Sequence, residues 1–247
     1  MIHINRVSRP EELTDGKVQE LTQRYKVNKK SVWNKEYIKR TLLEMTHNKC
    51  CYCEAPLNEQ GAYMEVEHFH PKALYPDEVL SWNNLLPVCK TCNVNKSNFD
   101  TKKKGFIDPT LVNPQDYFLT KNYMYFPKKE NPMAENTIDQ LKLNSLNTLA
   151  LSRAKIGIEV SNKIATLLKS VKRHRLDPDE LNADIGELRE ILKLVQPNNN
   201  YSAVISSVLL NNQNYKLIKN IFIKSENWDA NLIELEESAK AIAFDEE

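Results

Sequence analysis

"NNLLPVCKTCNVNK", residues 83–96, changes character twice within a few positions. Two asparagines lead into a short apolar run, "NNLLPVC", that reads as a strand. Cys89 and Cys92 then form a Cys-x-x-Cys pair, and "KTCNVNKSNF" fits a short helix. A strand that passes through a thiol pair into a helix is a compact arrangement, and its meaning depends on what lies upstream.

Upstream lies a second such pair, Cys50 and Cys53. The five cysteines of the chain sit at 50, 51, 53, 89 and 92, leaving the C-terminal half with none. In a reducing compartment clustered thiols mean metal sooner than disulfides. Burial alone could account for one cysteine, but two pairs so close together predict a tetrahedral four-thiolate zinc site of Cys50, Cys53, Cys89 and Cys92. Four thiolates close the shell, so this zinc is structural and chemistry must be sought elsewhere. Cys51 takes no ligand role, because using it would require the less common C-x-C spacing.

Simple zinc ribbons separate their pairs by roughly 15–20 residues. Here 35 residues, 54 to 88, intervene. They contain "EVEHFHPK", residues 65–72, at the end of a second predicted strand, "AYMEVEHF". By strand alternation Glu65 and Glu67 share one face, and His68 and His70 the other.

Taken as one line, Glu67-His68 followed by Asn84-Leu-x-Pro-x-Cys-x-x-Cys-Asn93-x-x-Lys96 resembles the HNH (ββα-metal) endonucleases over about residues 50–97. The resemblance implies a nuclease that hydrolyses phosphodiesters. His68 would be the general base, since an imidazole with an ordinary pKa near 6.5 can take a proton from water near neutral pH. Glu67 and Asn93 would hold one Mg²⁺ or Mn²⁺ ion through oxygen, with Glu65 as the substitute carboxylate. Asn84 would brace the two strands and orient His68, with Asn83 as its competitor. His70, Lys72 and Lys96 are candidates for contact with the nucleic-acid backbone, and the run "TKKKG" at 101–105 is either a phosphate grip or a solvated turn. Two departures stand out. Glu67 replaces the commoner aspartate, and Asn93 replaces a final histidine, which favours a hard cation there.

The flanks narrow the resemblance. "KCCYCE", "VEHFHPK", "WNNLLPVCKTCNVNKS", "FIDP" and "TIDQLKLNSLNTLALSR" together resemble the HNH subunit of Septu-type anti-phage systems and of retron-linked relatives, to about residue 155. That implies a bacterial defence nuclease acting with an ABC/OLD-like partner ATPase, joined in retron-linked forms by a reverse transcriptase and its DNA–RNA product. The chain has no G-x-x-x-x-G-K-[ST] loop of its own, so nucleotide chemistry would belong to the partner. DNA is the favoured substrate and RNA, such as tRNA, the alternative. A reading of another class is a non-catalytic zinc-knuckle module that binds nucleic acid or a protein. The set Glu67, His68, Asn84 and Asn93 separates the two, because a binding module has no need of all four.

The expected architecture is mainly α with a small ββα-metal module braced by the four-cysteine zinc site. Residues 1–48 form an N-terminal helical segment, 49–110 the nuclease module, and 111–247 a mainly helical region that presents a surface for a partner. Within the first segment a helix is expected near "RPEELTDGKVQELTQRY", and another in "SVWNKEYIKRTLLEM" with Trp33, Tyr37, Ile38, Leu42 and Met45 on one face. "NYMYFPKK" is a further strand. The C-terminal region predicts helices in 145–174, with Ser145 or Asn144 as N-cap, in "LDPDELNADIGELREILKLV", in "YSAVISSVLLNNQNYKLIKNIFI" and in "DANLIELEESAKAIAF".

Composition sets the outer bounds. The 247 residues are 41% hydrophobic and 27% charged, enough for a substantial core. Net charge is +1 overall, split as 20 Lys+Arg against 16 Asp+Glu before residue 131 and 14 against 17 after it. So mild an asymmetry means that nucleic-acid binding has to be argued from a site. No stretch suits a membrane span, the first residues have no signal-like apolar run, and a cytoplasmic location is expected.

Overall fold

The computed structural model describes residues 1–57, 63–174 and 178–246. The chain divides into two compact units. One comprises Met1, 3–117 and 127–143; the other comprises Ile2, 118–126 and 144–247.

In the first unit, α1 (Asp15–Asn28) and α2 (Glu36–Met45) precede the site. The expected start of α1 near Pro10 is corrected. Residues 10–13 form a turn, closed by Leu13 N–H donating to the Pro10 carbonyl at 2.9 Å. Thr14 then caps α1 by accepting from Lys17 N–H at 3.3 Å, so the capping hydroxyl and not the proline sets the helix start. In α2, Ile38, Leu42 and Met45 are buried as the periodicity predicts. Trp33 lies outside the helix, in the extended segment before it.

β1 (Met64–His68) and β2 (Leu85–Cys89) form an antiparallel pair, with Glu67 opposite Leu86 and His68 opposite Leu85. Ala62, the expected first residue of β1, lies outside the described residues. A short 3-10 turn, Trp82–Asn84, leads into β2, and Cys89 ends the strand by capping α3 (Lys90–Lys96). Pro87 is tolerated within β2 because this sheet has only two strands, so every strand is an edge.

α4 (Thr101–Lys104) is a single turn capped by Asp100. Gly105 follows at φ 74°, where a Cβ would meet Met133 Cγ at 2.8 Å; both the backbone angle and the close approach require glycine. α5 (Pro132–Leu141), opened by an Asn131 cap, packs on α3. Asn95 donates to the Leu141 carbonyl at 3.0 Å, and Gln140 donates to the Asn95 carbonyl at 2.5 Å. α5 is not among the helices that the sequence marks out, yet it fixes the helix that carries Asn93.

In the second unit, β3 (Phe118–Lys121) and β4 (Met124–Pro127) make a hairpin, and β5 (Asp245–Glu246) pairs parallel to β3. The long α6 (Leu149–His174) packs against α7 (Pro178–Lys193), α8 (Ser202–Asn211) and α9 (Gln213–Lys224), while α10 (Ala230–Lys240) closes on α7 and α8. Leu176 and Asp177, the expected opening of α7, lie outside the described residues.

Two expectations here are corrected. Neither Asn144 nor Ser145 caps α6, which begins at Leu149, and both ends of the Asn144 amide clamp Tyr125: Oδ1 accepts from Tyr125 N–H at 2.8 Å and Nδ2 donates to Tyr125 O at 2.7 Å. The single helix expected over 201–223 is two, broken at Asn212, whose side chain accepts from Asn214 and Tyr215 N–H and starts α9 afresh. Between α9 and α10, Glu236 accepts from Tyr215 Oη at 2.7 Å and from Lys219 and Lys240 at 2.6 and 2.8 Å. Those donors hold its carboxyl below the ordinary carboxylate value despite burial.

Candidate active site

The four cysteines meet. All four Sγ atoms lie within 4.8 Å of one another, with Cys53 and Cys89 at 3.7 Å. A tetrahedral zinc with Zn–S bonds of about 2.3 Å has S···S edges of about 3.8 Å, so the residues fit that ion. Cys89 Sγ also accepts from Cys92 N–H at 3.4 Å, turning the helix cap and the metal knuckle into one feature. Cys51 is buried next to the cluster and stays outside it; its N–H donates to the Pro87 carbonyl at 2.9 Å. The cluster therefore ties residues 50–53 to the junction of β2 and α3.

That junction positions a cleft of about 350 Å³ lined by Glu67, His68, Pro71, Lys72, Asn93, Val94, Ser97 and Asn98. Glu67 and His68 of β1 and Asn93 of α3, brought together from two places in the sequence, thus line one space. His68 is 2% exposed. Its Nε2 stands 3.0 Å from the Val79 carbonyl oxygen, while Nδ1 is buried and makes no hydrogen bond. Burial lowers its pKa to about 3, helped by the charges of Lys72 and Lys96 and opposed by the Val79 carbonyl. The imidazole is therefore neutral at physiological pH. A carbonyl can only accept, so the single ring proton sits on Nε2 and the Nδ1 lone pair is left free.

Glu67 is 3% exposed and ion-paired through Oε1 with Lys96. Burial raises its carboxyl above the ordinary value while Lys96 pulls it back down. Asn93 donates from Nδ2 to Glu65 Oε2, which leaves its Oδ1 as the atom able to serve a cation. One carboxylate and one amide oxygen in a shared cleft form a donor set suited to a hard divalent ion.

Asn84 is buried and Asn83 exposed, so Asn84 is the one that braces. Its Oδ1 accepts from His70 N–H at 2.7 Å, and its Nδ2 donates to the carbonyls of His70 and Glu78, each at 3.1 Å. It ties the end of β1 to the residue preceding Val79, the partner of His68. His70 is bound to Glu78, Nδ1 to Oε2 at 2.6 Å, and Glu78 is bound in turn to Lys102.

Lys96 is not where a backbone contact requires it. Its side chain is 0% exposed, paired with Glu67 and donating to the His68 carbonyl at 3.0 Å. A lysine so deep cannot reach a nucleic-acid backbone, and its ammonium is instead taken up by Glu67 and the His68 carbonyl. Lys72 is half-buried and lines the cleft, with its ammonium 5.0 Å from the centre of the Trp33 ring. Burial lowers its pKa and Glu67 raises it. Helical periodicity places Trp33 on a face of α2, and only its position before that helix brings it here. No local sequence signal announces that role.

Two antiparallel strands and a helix, a neutral histidine with a ring nitrogen free of hydrogen bonds, a carboxylate beside it on the strand and an amide oxygen on the thiol-clamped helix define an HNH endonuclease. The HNH endonuclease family model matches residues 50–99. The chain is 39% identical over 236 residues to the Septu protein PtuB of Bacillus thuringiensis, covering 93% of this chain and 90% of that protein. It is 24% identical over 218 residues to the Septu protein PtuB of Bacillus mycoides (strain KBAB4), covering 70% and 73%. The chain belongs to the Septu PtuB family.

Proposed function

We propose that this protein is the effector nuclease of a bacterial anti-phage defence complex, hydrolysing phosphodiester bonds with His68 as general base. The observation that carries the reading is the state of His68. Its Nε2–H is tied to Val79 O and its buried Nδ1 has no hydrogen-bond partner, while the residue lines the cleft together with Glu67 and Asn93. Nδ1 takes a proton from the attacking water. Asn84 keeps the 78–79 segment, and with it the imidazole, in register. Glu67 and Asn93 would hold a Mg²⁺ or Mn²⁺ ion, which supplies charge neutralisation at phosphorus and at the departing oxygen. Lys72 and His70 contact the backbone of the substrate.

DNA is the preferred substrate in this reading, with RNA, including tRNA, as the alternative. A partner ATPase of the ABC/OLD-like kind directs cleavage, and in a retron-linked setting a reverse transcriptase and its DNA–RNA product join the assembly. Among the described residues no helix is long and apolar enough to cross a membrane.

The test is cleavage by the nuclease–ATPase complex, offered duplex DNA and total RNA in parallel with Mg²⁺ or Mn²⁺. Degradation of DNA alone supports the assignment; degradation of RNA alone transfers it to the alternative. No metal-dependent cleavage of either, with or without ATP, would favour a binding module.

A further inference from the structure

Trp33 lies outside the residues matched by the nuclease family model and ahead of α2, yet it touches the centre of the site. Its ring meets the His68 imidazole edge-to-face, centroids 4.6 Å apart at 83°. The Lys72 ammonium stands 5.0 Å from the same ring. Tyr25, buried in α1, packs against the tryptophan at 5.6 Å and 71°, and its hydroxyl reaches the Lys72 carbonyl at 3.5 Å. Among the described residues, the one hydrogen bond His68 makes through its ring, to Val79, fixes one point and leaves rotation about that point to be restrained by packing. Trp33 supplies that packing. Lys72 is likewise held beside the cleft by the face of an indole, the best of the aromatic platforms for a cation.

We propose that Trp33 is a positioning residue of the nuclease, setting the His68 ring and the Lys72 ammonium in one fixed relation across the cleft. The 1–48 segment is then part of the working site, with Tyr25 as the buttress behind the tryptophan. The proposal rests on His68 and Lys72 having the roles given above. Positioning has a specific kinetic consequence. Loss of the indole loosens one substrate contact, Lys72, and leaves the others intact, so KM changes little, while a displaced base slows the chemical step, by up to about 10²-fold for a shift near 1 Å. An aromatic replacement keeps the edge contact with the imidazole and a face for the ammonium.

The experiment compares wild type, Trp33→Leu, Trp33→Phe, Lys72→Met and Trp33→Leu/Lys72→Met in the assembled complex. Each protein is first checked for zinc content and melting temperature. Expected is a kcat for Trp33→Leu lower by about 10- to 100-fold at near-constant KM, substantial rescue by Trp33→Phe, and a double variant less impaired than the product of the single losses. Nitrogen NMR of labelled histidine provides a readout independent of turnover. The His68 Nε2–H tautomer should be a single sharp species in wild type and Trp33→Phe, and averaged in Trp33→Leu. Unchanged kcat and an unchanged His68 spectrum in a folded Trp33→Leu would overturn the proposal, as would a loss confined to KM. Should His68→Ala cut normally, the general-base reading itself fails, an outcome distinguishable from failure of Trp33 alone.

Discussion

At the residue scale, the site depends on how few degrees of freedom its side chains retain. Asn84 spends its amide on three backbone groups across two segments. A buried amide that loses such partners strands donors and acceptors at about 1–3 kcal/mol each. Asn84→Ala should therefore lower the melting temperature and slow cleavage together, measured by thermal unfolding and by kcat on one preparation. Lys96 makes a sharper case. Removing one member of a buried ion pair costs about 3–5 kcal/mol, so Lys96→Ala should destabilise the nuclease module far more than Lys102→Ala, whose side chain is 38% exposed. Comparison of the two by chemical denaturation checks this. If the two changes cost the same, the buried pairing of Lys96 with Glu67 would be wrong.

At the scale of elements, the parts most readable in the sequence were those defined by short-range chemistry. The two Cys-x-x-Cys pairs, the Glu67-His68 strand, β2 and α3 follow from spacing and alternation, and the four thiols do converge. What could not be read were choices made by long-range partners. Asn144 has the chemistry of an N-cap but is claimed by Tyr125; Asn212 sits within a helical periodicity but caps a new helix. Trp33 fits an α2 face by count, yet the helix starts three residues later and the ring goes to His68. Lys96 looks like any surface lysine until β1 is laid beside α3. The Asn212 cap has its own consequence: Asn212→Ala should cost about 1 kcal/mol of stability, seen in denaturant unfolding, while cleavage of the substrate stays unchanged. Glu236 adds a pH-dependent one. Its carboxyl is held below the ordinary 4.5, so its contribution is present above that value and is lost as pH falls through the lower, folded-state value. Glu236→Gln should thus melt below wild type at neutral pH, and the gap should close in acid.

At the scale of the whole molecule, the four-thiol cluster and the proposed catalytic cleft share a scaffold but not a chemistry. Cys89 and Cys92 belong to the same strand–helix junction that carries Asn93, so zinc holds the helix without entering the cleft. Removing zinc with a strong chelator should abolish cleavage and unfold the β1–β2–α3 region, and added Mg²⁺ should not restore it. Weak chelation that strips only hard divalent ions should stop cleavage reversibly, with circular dichroism unchanged. The measurement that bears most directly on the account is metal-dependent cleavage by the assembled complex carrying His68→Ala, beside wild type, with zinc content matched. The account predicts a rate lower by about 10²–10⁴-fold in protein that is still folded, zinc-loaded and able to bind substrate. Cleavage by His68→Ala at the wild-type rate would contradict it.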